Sequence, residues 1–192
     1  MRKSAPHERS RDTVNIWEGA KVRLRPIRTE DWQAFHVGEQ DSEAARLFDA
    51  IYFPRSEEGS RAWAAQHGQR RAIGDDMTLA IETTEGELAG RISAHGCSAR
   101  HGHFKYGVLV FRPHWRRGYG AEAVRLLLRY YFEELRYERA SAHVYAFNEG
   151  SIALQERLGF QLEGRLRSMI YTGGTYHDEY VYGLLREEFT LA

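Results

Sequence analysis

The stretch from Phe104 to Leu135 sets the tightest limit on what this chain can fold into. A strand-like run, Phe104 to Phe111, leads into Arg116-Arg117-Gly118-Tyr119-Gly120-Ala121. After it Val124, Leu127, Leu128, Tyr131 and Leu135 recur at helical spacing, so the segment reads as a strand, a two-glycine loop and an amphipathic helix from about Gly120 to Leu135. Such a junction gathers unpaired backbone N–H groups at the positive end of a helix, a geometry that attracts anions such as a diphosphate. Gly118 and Gly120 carry no Cβ to hold a phosphate off, and Arg116 and Arg117 add charge. The plain alternative is a tight strand-to-helix turn with two surface arginines.

The same residues also fit the loosened dinucleotide pattern Gly118-x-Gly120-x-x-Ala123. Three features oppose that reading. Trp115-Arg116-Arg117 separate the strand from the first glycine, the unit comes late after antiparallel strands, and the following strand ends in Phe147-Asn148 where an acidic ribose ligand would stand.

Around this unit the pattern predicts an α/β (α+β) single domain with a mainly antiparallel sheet flanked by helices. Val22 to Ile27 alternates as a strand, Thr29 caps a helix to about Val37, and further helices cover about Ser42–Phe48 and Ser56–Arg71, broken at Tyr52-Phe53-Pro54. Thr78–Glu82 and Leu88–His95 flank the turn Thr84-Glu85-Gly86 as a hairpin. Ala140–Phe147 is a strand, and a helix from Asn148 or Glu149 to Leu158 is ended by Gly159, followed by strands Phe160–Arg165 and Tyr176–Leu185 about the turn Thr172-Gly173-Gly174. Residues 1–16 read as a flexible leader and 17–192 as the folded domain.

At 192 residues, with 42% apolar and 28% charged side chains, the chain can enclose its own core. Zero formal charge gives no general reason to expect nucleic acid or an anionic membrane as partner. Cys97 is the single cysteine, and neither a signal segment nor a bilayer-spanning run is present, so the expectation is a cytoplasmic protein. His101-x-His103 with Cys97 matches no closed zinc spacing, and no metal is expected.

The segment from Tyr106 to Phe160 resembles the coenzyme A-binding half of the GCN5-related N-acetyltransferase superfamily (GNAT), more closely its ribosomal-protein and polyamine N-acetyltransferase-like branch. The likeness extends over about residues 20–188, with Leu24-Arg25-Pro26-Ile27-Arg28-Thr29-Glu30-Asp31 similar to the branch's opening strand and helix start. It implies an N-acetyltransferase domain using acetyl-CoA as cosubstrate and an amine as acceptor, either a protein amino terminus, a polyamine or another small amine. Val108-Leu109-Val110 is similar to the strand that pairs with pantetheine, and Arg116, Arg117, Gly118, Tyr119, Gly120 and Ala121 to the diphosphate loop. Asn148 and Ser151 are similar to the segment that meets pantetheine. Trp115 stands where many members carry Gln or Arg, Pro113 lies one residue closer to the glycines than usual, and Gln155 replaces a Tyr acid.

Direct transfer needs a neutral amine, whereas an alkylamine with a pKa of about 10 is protonated at neutral pH, so a base must take its proton. His143 is the leading candidate, with Tyr145 on the same strand face; Glu82 and Ser151 are further catalytic candidates, and His95 and Asp178-Glu179 also lie on the flanking strands. A domain that binds acetyl-CoA without turnover, as a sensor or docking module, is the competing reading. The acceptor is not legible in the sequence, and oligomeric state is open, a homodimer included.

Overall fold

The computed structural model describes residues 15–48, 51, 53–69 and 74–190. Most of the expected leader, Tyr52 of the expected break, and Arg70 and Arg71 at the end of the expected third helix lie outside the described residues. At the leader's boundary the carbonyl of Ile16 accepts from Arg129, and the Trp17 ring packs 4.5 Å from Tyr130.

Seven strands form one sheet: β1 (Val22–Arg25), β2 (Met77–Thr83), β3 (Leu88–Ser98), β4 (His103–Val110), β5 (Arg139–Tyr145), β6 (Gln161–Thr172) and β7 (Thr175–Leu185). Their spatial order is β1-β2-β3-β4-β5-β7-β6, and every neighbouring pair is antiparallel except β4 and β5. The parallel pairing covers only His103, Phe104 and Lys105 against Arg139, Ala140 and Ser141. Past Lys105 the two central strands part, so the sheet holds a gap at its middle.

Alternation along the strands sends Val22, Leu24, Ile81, Ile92, Phe104, Ala140, Ala142 and Leu184 to one face, where they meet the apolar stripe of α4 (Tyr119–Arg129). Val124, Leu127 and Leu128 of that stripe are fully buried, each stabilising the fold by about 1.5–3 kcal/mol on transfer grounds. The helix then widens into a π turn, Tyr130–Glu134, in which Leu135 N–H reaches back five residues to Tyr130 O at 3.3 Å. That extra residue turns both Tyr131 and Phe132 inward against Phe104.

The opposite face is covered over its first half by α1 (Trp32–Glu39), α2 (Ser42–Arg46) and α3 (Glu57–Gly68), where Phe35 and Trp63 pack on Ile27, Ala80 and Phe111. α5 (Glu149–Arg157) follows β5 and ends at Gly159, whose φ of +87° is the left-handed cap the sequence predicts. β6 runs seven residues beyond the expected Arg165. Arg167-Ser168-Met169 lack strand alternation, but Asp178 carries the irregularity by accepting Ser168 N–H at 2.8 Å and bonding Arg165, after which pairing resumes at Ile170.

Candidate active site

The glycine loop and the gap meet at the C-terminal end of β4. Gly118 is the N-cap of α4 with φ +84°, and Arg116 is also left-handed at φ +59°, so the loop curls and turns its N–H groups outward from the helix start. A Cβ on Gly118 would lie 3.0 Å from Lys21 Nζ, and one on Gly120 would press Val110 Cγ2 at 3.4 Å. Lys21 donates to Arg117 O at 3.2 Å, which adds an ammonium to the loop's own two arginines. Glu122, one turn into α4, accepts from the N–H groups of Ala20, Lys21 and Val22 at 3.0, 2.7 and 2.7 Å and so binds the helix to β1.

Phe111 N–H donates to Ala89 on the β3 side, and main-chain groups alternate in direction along a strand. Those of Val108 and Val110 therefore aim into the gap, while Leu109 points its backbone toward β3. Trp115 Nε1–H takes the Val110 carbonyl at 2.6 Å, leaving the Val110 N–H and both Val108 groups for a ligand. The Arg112 guanidinium lies 4.9 Å over the Trp115 ring and binds Asp41 and Glu43. Asp41 also caps α2 through Ala44 N–H at 3.0 Å, and the Arg112 bond holds its carboxyl at about 2.

Across the gap Asn148 caps α5 through Ser151 N–H at 3.0 Å and donates to Leu47 O, just past α2, at 3.3 Å. Ser151 thus sits in the first turn of α5, beside the gap. Gln155 is buried and accepts the Tyr106 hydroxyl, whose pKa burial raises. Where a Tyr acid is common in the family, this chain has a core hydrogen bond.

Because Ala142 and Val144 face the core, His143 and Tyr145 face away from it, toward the groove between the α1–α3 block and the β6–β7 hairpin. His143 Nδ1 lies 3.0 Å from Glu179 Oε2 on β7. With the carboxylate ionised the ring donates from Nδ1, and the neutral imidazole keeps an accepting Nε2. Tyr145, Phe147 and His177 continue this face outward in successive ring contacts of 5.5 and 4.7 Å. Arg46 of α2 reaches Thr172 Oγ1 at the hairpin tip over 2.7 Å, roofing the groove.

Glu82 is not part of this assembly. It lies buried at the β1–β2 end of the sheet, held by Arg23 and Arg25, while Arg25 also grips Asp31. Burial is the largest single influence and would raise its pKa, but the bonds and charges of Arg25 and Arg23 together outweigh it and lower the pKa, which fits an ion pair rather than a proton acceptor. Sequence reasoning passed over the Trp115 indole and Lys21, since neither belongs to the loop pattern. A two-residue register count on β7 places Glu179 diagonally opposite His143, but only once the β5–β7 pairing is known.

Among the described residues no group of three or more His, Cys, Asp or Glu is placed to hold a metal ion, and no helix is long and apolar enough to cross a membrane. Cys97 bonds Asp75 O and Tyr131 Oη at 3.4 and 3.8 Å, as part of the packing under the π turn.

A two-glycine loop on a helix start beside a parted parallel strand pair defines an acyltransferase-type fold. Consistent with this, residues 21–161 match the family described as acetyltransferase (GNAT) domain, and the chain belongs to that family of N-acetyltransferases. It is 35% identical over 178 residues to the SPbeta prophage-derived uncharacterized N-acetyltransferase YokL of Bacillus subtilis strain 168, covering 93% of this chain and 97% of the relative. It is 29% identical to the uncharacterized N-acetyltransferase YoaA of the same organism, over 89% of this chain and 97% of that one. The fold is shared with spermidine N-acetyltransferase from Vibrio cholerae in complex with CoA and spermine, at TM-score 0.75, 18% identity, and coverage of 88% and 98%.

Proposed function

We propose that the domain moves an acetyl group from acetyl-CoA to a primary amine by direct attack, with His143 as the proton acceptor. The observation that carries this reading is the parting of β4 from β5 past Lys105, which leaves the Val110 N–H free beside a groove that holds the His143–Glu179 pair. Bound acetyl-CoA supplies an activated thioester. The N–H groups of Gly118 to Ala121, with Arg116, Arg117 and Lys21, hold its diphosphate; Val108 and Val110 hold its pantetheine by main-chain bonds, with Leu109, Asn148 and Ser151 lining the gap. The cradle fits, because a Cβ on Gly118 would crowd Lys21 where the diphosphate must approach.

His143 Nε2 accepts the ammonium proton, and Glu179 stabilises the imidazolium that results. The Val110 N–H aims at the oxygen on which charge develops, fixed in direction because Trp115 holds the carbonyl of the same residue. A departing thiolate with a pKa of about 8.5 needs little protonation, so a Gln at position 155 is compatible with turnover.

Calorimetry with acetyl-CoA and a steady-state assay over peptide amines, polyamines and aminoglycosides test this. We expect saturable uptake that Gly118→Val weakens at least tenfold, and product on one amine class. Tight uptake with no product on any amine favours the silent binding module; no uptake at all sinks both.

A further inference from the structure

The groove's charge says which amines it admits. Ala94 and Tyr106 are buried on the core face, so their neighbours His95 and Lys105 stand on the groove face, directly paired across β3 and β4. Lys105 is in turn paired with Ser141, two residues before His143 on the same face of β5. The three side chains thus converge where the central strands part. Burial, and then the positive fields of Lys105 and His143, hold the His95 imidazole below the ordinary histidine range, with Asp76 opposing. Asp76 itself is engaged by the N–H groups of Gly96 and Cys97.

The carboxylates of the seven strands number four, Glu82, Glu163, Asp178 and Glu179, and each is already bonded to an Arg or His. At the roof, Asp41 and Glu43 are both taken by Arg112. The strand floor therefore presents the Lys105 ammonium with no strand carboxylate free to receive a second ammonium. A polyamine entering here meets like charge without a partner, and unpaired like charge is an effective means of rejection.

Resting on the acetyltransferase reading, we infer that Lys105, with His95 beside it, selects an amine that carries carboxylates close to its nitrogen: an α-amino terminus followed by acidic side chains, in preference to a polyamine. An arriving carboxylate bonds the Lys105 ammonium and favours protonation of His95, and it brings the adjacent amine to His143 on the next strand. The first side chain of such a peptide then lies along the contacting rings of Tyr145, Phe147 and His177.

The test compares two peptides with the same first residue, one with Asp-Glu at positions two and three and the other with Asn-Gln, together with spermidine, on the acetyl-CoA-loaded full chain. We expect kcat/KM for the acidic peptide to exceed that of its amide twin by about tenfold at low salt, with the ratio shrinking as salt rises. Lys105→Gln brings the ratio near one, and Lys105→Glu inverts it and raises spermidine turnover, with acetyl-CoA affinity and the unfolding midpoint close to the parent's. Equal turnover of the twins, a ratio untouched by Lys105→Gln, or spermidine as the better acceptor overturns the inference and leaves the acetyltransferase reading standing. Failure to acetylate any of the three amines, with acetyl-CoA bound, counts against both.

Discussion

Trp115 donates its indole N–H to the carbonyl of Val110 across 2.6 Å, so the loop that leads to the glycines is bolted to the strand that faces the gap. Trp115→Phe keeps a ring under Arg112 and removes only the donor. We expect kcat to fall about tenfold, a loss of about 1.4 kcal/mol in line with one hydrogen bond. Acetyl-CoA affinity should change less than threefold; a proportionate loss of both would place Trp115 in cofactor binding instead.

Gly118→Ala tests the loop itself. A left-handed conformation costs a residue with Cβ about 1–2 kcal/mol, and the new methyl meets Lys21 Nζ. The expected outcome in calorimetry is a tenfold or greater loss of acetyl-CoA affinity. The unfolding midpoint should drop by only a few degrees, as Gly118 is not part of the core.

Glu179→Gln separates positioning from packing. The amide preserves shape but does not stabilise an imidazolium, so kcat should fall ten- to a hundredfold with KM for the amine little changed. The lower limb of the pH–rate profile should move relative to the parent. His143→Ala should lower kcat further and abolish that limb; an unmoved profile in both variants would remove His143 from the mechanism.

Acid should loosen the β1–β2 end of the sheet. Burial, the largest single influence, would raise the pKa values of Glu82 and Asp31, but Arg25 together with Arg23 at Glu82 and with Arg28 at Asp31 outweighs it and holds both below the ordinary range. Groups depressed on folding contribute stability above their unfolded pKa, about 4, and lose it as pH falls through the folded value. Glu82→Gln should therefore cost about 3 kcal/mol in denaturant titrations at pH 7, because it strips a partner from two arginines, and the difference should narrow below about pH 4.

Cys97 should be inert in the native protein. Burial first, and then the bond to Asp76, push its thiol up to about 12, so the thiolate is scarce at pH 8. A disulfide reagent should label it at the rate of unfolding, and added denaturant should expose it at once; fast native labelling would contradict the packing described under the π turn.

Much of this architecture is legible in the residues themselves. The stripe of Val124, Leu127 and Leu128 defines α4, Gly159 marks the end of α5, and the resemblance carried by Arg116 to Ala121 and Asn148 locates the two sides of the gap. What stays hidden depends on partners far apart in sequence. Glu82 looks like any strand carboxylate until β1 brings Arg23 and Arg25 against it, and the length of β6 is set by Asp178 on the neighbouring strand. The π turn escapes periodicity because one inserted residue shifts the apolar stripe without breaking it. Lys105 carries no motif; its meaning comes from standing between His95 and Ser141 in a register that only the folded sheet defines.

Glu122 gathers three consecutive amides, two just before the amino-terminal strand and the first of the strand, onto the helix that begins at the glycine loop. The glycine loop is consequently moored from outside, by a stretch a hundred positions earlier that also brings Lys21 against it. Replacing Glu122 with Gln would slacken that mooring and with it the hold on acetyl-CoA, while every residue of the loop stayed in place.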